Sequence, residues 1–146
     1  MSKKRYDEKQ LIERGKSFQY AFIGGIAVNV IIYILSEFAG IGFNSDAVFL
    51  INIGFPIAIY MLSMIIKGCY DGISNASELL NITALCGCGV ALFIIYLPDV
   101  ILGKKHLMEN AAITENASAL LIGILTLVIV FVYLIKKVIE KGEDEE

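Results

Sequence analysis

Apolar side chains fill residues 18–35, 48–66, 82–102 and 119–135 almost without interruption, and nearly every charge lies between or beyond these runs. Each run has the roughly 17–25 residues that a helix needs to cross a hydrocarbon layer about 30 Å thick. Only the third is broken, by Pro98 and Asp99 near its far end. In hydrocarbon the backbone must satisfy its own N–H and C=O groups, so runs of this length predict helices rather than open strands. The pattern predicts an all-α fold, a four-span transmembrane helical bundle with spans at about 18–36, 48–66, 82–102 and 119–136. A head (1–17) precedes the spans and an acidic tail (137–146) follows, the whole reading as a single integral membrane domain.

The placement of Lys and Arg predicts orientation. Six precede the first run, none lies in the first loop, one in the second, two in the third, and three follow the last. With both termini inside, the bias towards cytosolic positive charge is satisfied. The expected topology is N-in/C-in, that of a multi-pass protein of the cell membrane. Composition agrees: 57% of residues are hydrophobic and 18% charged, and the mean hydropathy of +0.72 is far from that of a soluble domain. The net charge of −3 carries little information, because the charges sit in tails and loops. Residues 67–81 and 103–118 are the longest connections, and neither is long enough for an independent soluble core. The head is basic but also carries Asp7, Glu8 and Glu13, and Ala39-Gly40-Ile41 is a poor cleavage site. The first run is therefore expected to stay as an anchor rather than leave as a signal peptide.

Polar residues inside the runs are the next clue. Gly25, Asn29, Tyr33 and Ser36 or Glu37 recur at helical spacing, as do Asn52, Pro56, Tyr60, Ser63 and Lys67, so each set shares one helix face. Antiparallel passage brings Asn29 and Asn52 to similar depth. Spans one and two are expected to meet through Asn29, Tyr33, Asn52, Pro56 and Tyr60. The stripe reads either as interhelical hydrogen bonding worth about 0.6–2 kcal/mol per bond or as a polar path or binding pocket. Pro56 deprives the Asn52 carbonyl of its helical donor, and a kink there would widen the outer half of the bundle. Glu37 and Asp99 are expected at one depth near the outer surface, as a carboxylate pair at a water-filled mouth or as two solvated helix ends.

Span three is rich in small residues. Gly87 and Ala91 form a small-xxx-small pair of the kind that lets helix backbones approach, which predicts a central or dimerising helix. Span four, nearly all aliphatic, is expected to face lipid.

Catalytic chemistry is sparse. Four-helix membrane oxidoreductases that relay disulfides resemble this chain in span number, but they use Cys-x-x-Cys. Here Cys86-Gly87-Cys88 points its thiols about 200° apart on a helix, and Cys69 also falls on the reducing side. The single histidine, His106, stands beside Lys104 and Lys105 without a grouping that suggests a metal. Asn-x-Ser/Thr triplets occur at Asn75, Asn81 and Asn116, of which only the last is expected outside. No catalytic residue, cofactor or metal is assigned, and no basic surface with interleaved aromatics suggests nucleic acid. Expected partners are the lipid bilayer, a second copy of the chain and a cytosolic regulatory protein. In the head, Tyr6, Leu11 and Ile12 line one side of a short amphipathic helix that either lies on the membrane or runs into span one.

Asp7-Glu8-Lys9-Gln10 followed by Arg14-Gly15-Lys16, with Lys67-Gly68-Cys69-Tyr70-Asp71 leaving the second span, resembles a set of uncharacterised small multi-span proteins of Gram-positive bacteria. Over residues 6–71 the resemblance implies a bacterial cytoplasmic membrane and a regulatory or stress role, with no molecular activity attached. Four spans of this size also resemble the small multidrug-resistance exporters, which embed one Glu in helix one. Here Glu37 lies at the end of that helix, and the chain has no Trp to form an aromatic cation site. The expected function is that of a non-catalytic regulatory, sensing or scaffolding membrane protein. The alternative is a small oligomeric transporter or channel, for a cation or small solute, with its path between helices one and two.

Overall fold

A computed structural model describes residues 8–69 and 75–143, with side chains described outside 75–82 and 141–143. Four long helices account for nearly all of it: α1 (Glu8–Phe38), α2 (Ser45–Ile66), α3 (Asn75–Ile101) and α4 (Glu115–Glu143). All four are long and apolar enough to cross a membrane, so the chain is a multi-pass membrane protein. At 31 residues, α1 measures about 46 Å, well beyond a hydrocarbon core of about 30 Å. Residues 8–17 of the head are the beginning of this helix, which runs straight into the first span. Helix α4 likewise continues to Glu143, so the expected acidic tail begins as helix.

Each helix ends for a local reason. At the end of α2, Gly68 has φ +66, its N–H bonds the Ile65 carbonyl at 3.1 Å, and the Cys69 N–H bonds that of Met64 at 3.0 Å. This is a Schellman turn, in which glycine takes the left-handed backbone at least cost. Gly103 ends α3 in the same way, with N–H bonds from Gly103 to Val100 and from Lys104 to Asp99.

The first and third loops join in a small three-stranded sheet. Strand β1 (Gly42–Phe43) pairs parallel with β3 (Ala112–Ile113), which pairs antiparallel with β2 (Met108–Glu109). Asn110 and Ala111, at φ 50 and 61, make the turn between β2 and β3, the backbone of a type I′ hairpin. Thr114 locks this clasp to α4: its hydroxyl donates to the His106 carbonyl at 2.8 Å, and its own carbonyl accepts from Ser118 N–H. The clasp gathers both loops at one end of the molecule, and the start of α1 and the end of α4 lie at the other.

The extensive helix contacts run α1 on α2, α2 on α4 and α4 on α3. This order corrects two expectations. Helix α4 is central rather than lipid-facing, burying Ala119, Thr126, Ile129 and Tyr133. Ala58 and Ile65 of α2 join Ile129 and Tyr133 in the core. Helix α3 is an edge helix rather than the central one. Gly87 has open space beside it and Ala91 is exposed. The close approach is made one face away, by Gly89 against Gly123 and Thr126 of α4.

Candidate functional site

The α1–α2 seam carries most of the residues expected to matter. Ser17, fully buried, and Ser63 share a hydroxyl hydrogen bond of 2.9 Å. Further along, Gly25 lies against the Pro56 ring, where a Cβ would come within 3.1 Å of Cγ. The glycine makes room for the proline, and α2 runs unbroken through Pro56. This antiparallel register brings Asn29 and Asn52 to one level, as their spacing predicts. They do not bond one another. Asn29 is exposed and its Nδ2 donates to the Gly25 carbonyl of its own helix at 2.9 Å, while Asn52 Oδ1 is buried without a hydrogen-bond partner. The expected interhelical hydrogen bond is made instead by Ser17 and Ser63. Ser17 is fully buried where the two helices meet, whereas Asn29 stands on the exposed edge of the seam.

An apolar groove of about 690 Å³ runs along this seam, lined by Phe18, Phe22, Ile26, Val30 and Tyr33 with Asn29 among them and Pro56 as its other wall. Of the five stripe residues, Asn29, Tyr33 and Pro56 line the groove. Asn52 and Tyr60 are partly buried and do not. A second apolar groove, of about 390 Å³, opens between α1, α2 and α4 beneath Phe43 and Ile113 of the clasp.

At the terminal end, charged groups tie the helices together. Glu13 pairs with Lys16 at 2.6 Å and with Lys67, at the end of α2, at 3.0 Å. The Lys67 contact is an ion pair off hydrogen-bond alignment, and the same ammonium lies 4.5 Å from the Tyr20 ring centre. The Lys16 hydrogen bond, and after it the Lys67 ammonium, holds the Glu13 carboxyl below its ordinary pKa, and Glu13 in turn raises that of Lys16. Both residues precede the apolar run. From α4, Lys136 donates to the Ile65 carbonyl and lies 3.4 Å from that of Ile66. A cation there satisfies carbonyls left open by the helix end and opposes the negative end of its dipole. Lys136 also pairs with Glu140 at 3.5 Å.

Other expected residues are separated. Glu37 is exposed at the clasp end of α1, whereas Asp99, on α3, lies 3.9 Å from Lys105. Their helices occupy opposite edges of the row, which corrects the expectation of a shared mouth: α2 and α4 stand between them. Asn116 is only 5% exposed, so its triplet is closed to a glycan in the folded chain. Those at Asn75 and Asn81 lie outside the described side chains, as do Tyr6, Asp7 and the Tyr70-Asp71 exit. Cys69 is buried and Cys88 exposed, both as free thiols. Among the described residues no group of three His, Cys, Asp or Glu side chains is placed to hold a metal.

Sequence reasoning missed Ser17, Lys136, Gly89, Gly123 and Thr126. Ser17 was legible, since Ser17, Ala21, Gly25 and Asn29 recur every four residues, but it stands at the border of the head. Comparison with protein-family models, curated proteins and solved structures finds no match.

Proposed function

We propose that this chain is a non-catalytic membrane protein of regulatory, sensing or scaffolding kind, inserted N-in/C-in, with its helical head as the cytosolic contact surface. One observation carries the reading: the head continues α1 and is tied to α2 through Glu13 and Lys67. Residues 8–17 extend the helix by about 15 Å. A partner seated there pushes on a lever already fixed to α2, and α2 is tied to α4 by Lys136. Leu11 and Ile12 lie exposed among the charges of this lever, giving an apolar contact with a polar rim.

The test is a photoreactive residue at Leu11 or Ile12 in the full chain in native membranes. The expected product is an adduct with a cytosolic protein; adducts with lipid alone would refute the docking role. Topology is checked by single cysteines at Asp46 and Glu140, which are expected to label from opposite sides of the membrane.

The transporter or channel reading draws on the unpartnered Asn52 Oδ1, one turn from Pro56. A solute flux in liposomes that vanishes in the folded Asn29→Leu, Asn52→Leu double variant would favour it.

A further inference from the structure

We propose that the outward face of α1 is a self-association surface, on which a second copy of this chain packs its own α1 and the two Asn29 amides bond across a two-fold axis. Helix α1 is an edge helix with one extensive neighbour, and it buries only Ser17 and Ala21. Its free face is the α1 wall of the seam groove. Phe18, Phe22, Ile26 and Tyr33 stand on it, each more than half exposed.

Apart from Gln19, at the very start, Asn29 is the one side-chain amide in the first apolar run, and it sits in this groove. Its Nδ2 bonds Gly25 O and its side chain makes no other hydrogen bond. One N–H and the Oδ1 acceptor are left towards hydrocarbon, where such groups lack water and cost free energy. Lipid tails cannot satisfy them.

The chemistry selects the occupant. A carboxamide carries a donor and an acceptor and so complements another carboxamide. Copies of one chain insert in the same orientation, so α1 meets α1 in parallel with Asn29 opposite Asn29 at equal depth. A two-fold interface brings each residue of the patch to the same patch on its partner. A buried asparagine that fixes register at a helix seam is a known device in coiled coils. The exposed small residues of α3, around Gly87, offer a competing surface, but among the described side chains of that helix there is no carboxamide. The pairing of α1 does not depend on whether the assembled protein signals or conducts.

The experiment is disulfide crosslinking of the full chain in membranes, with Cys69, Cys86 and Cys88 replaced by alanine. Phe22→Cys and Ile26→Cys, on the proposed face, are expected to give covalent dimers, while Ala27→Cys and Ile34→Cys, on the far side of α1, are not. In detergent, sedimentation of Asn29→Leu is expected to show dimer dissociation about tenfold easier than in the parent, the effect of losing one interhelical amide pair. Asn29→Gln, which keeps the amide, is expected to retain most of the association. Dimers trapped by Gly87→Cys or Ala91→Cys but not by the α1 face would overturn the proposal. So would a monomeric parent chain, or an Asn29→Leu dimer as tight as the parent.

Discussion

Gly87 and Gly89 stand two residues apart on α3, and the structure requires opposite responses from them. A Cβ at Gly89 would lie 3.1 Å from Thr126 Cγ2, 3.3 Å from Thr126 Cβ and 3.5 Å from the Gly123 carbonyl oxygen. Thr126 has little freedom to withdraw, because its hydroxyl donates to the Ile122 carbonyl at 2.8 Å, and the Gly123 oxygen is backbone. Gly123 is as confined: its own Cβ would meet the Phe93 ring at 3.3 Å. Gly89→Leu therefore forces α3 off α4. Overpacking of this kind costs about 1–3 kcal/mol, a large share of the stability of a small domain. At Gly87 a Cβ meets nothing within 4 Å. Gly87→Leu adds apolar surface facing lipid and is expected to change stability by no more than about 0.5 kcal/mol. Reversible unfolding in mixed micelles, followed by circular dichroism, measures both. If Gly87→Leu is destabilising and Gly89→Leu is not, the small-xxx-small pair Gly87 and Ala91 is the packing surface, and α3 does not meet α4 through Gly89.

The remaining tests address the terminal end. Lys136→Met leaves the last carbonyls of α2 without their cation and is expected to cost about 1–2 kcal/mol in the same assay; an unchanged midpoint would show that the Schellman turn suffices. Glu13 has a folded pKa depressed from 4.5 by Lys16 first and Lys67 second. Its contribution is thus present above pH 4.5 and lost as pH falls through the depressed value. Glu13→Gln is expected to remove that acid limb from the melting temperature measured against pH; a limb that persists would assign it to other carboxylates. The Ser17–Ser63 bond is tested by the double-mutant cycle Ser17→Ala with Ser63→Ala. Its coupling energy is expected to be about 0.6 kcal/mol and at most about 1.7 kcal/mol, and a value of zero would remove the bond from the seam.

The four helices and the antiparallel meeting of α1 with α2 were legible because hydropathy and side-chain period report the membrane and the helix directly. The continuation of α1 back to Glu8 and of α4 on to Glu143 lies beyond the apolar runs that hydropathy reports. The order of the helices was not legible. Lipid is as apolar as leucine, so an aliphatic run has no reason to face outward rather than inward; the central place of α4 is written in its small and polar residues instead. Ala119, Gly123, Thr126, Ile129 and Tyr133 follow one another at spacings of three and four, and all five are buried. On α3 the small residues are so dense that two faces offer a packing pair, and the sequence does not choose between Gly87 and Gly89. Pairing between the two asparagines failed for a related reason. Spacing gives depth to within a turn, but an amide whose own helix offers the Gly25 carbonyl at 2.9 Å can turn inward on its backbone.

The two ends of the molecule are held by different forces. At the clasp end, loops one and three are joined by backbone hydrogen bonds, among them Gly42 N–H to the Ala111 carbonyl and Asn44 N–H to that of Ile113, each at 2.9 Å. Such bonds do not titrate, and salt screens them little. At the terminal end α1 is tied to α2 by the Glu13–Lys67 ion pair, each side chain 22–23% exposed, and α4 to α2 by Lys136 on the Ile65 carbonyl. Partly exposed ion pairs weaken with ionic strength and answer to any new charge brought near them. A charge brought near this end therefore perturbs the Glu13–Lys67 ion pair and leaves the backbone bonds of the clasp unaffected.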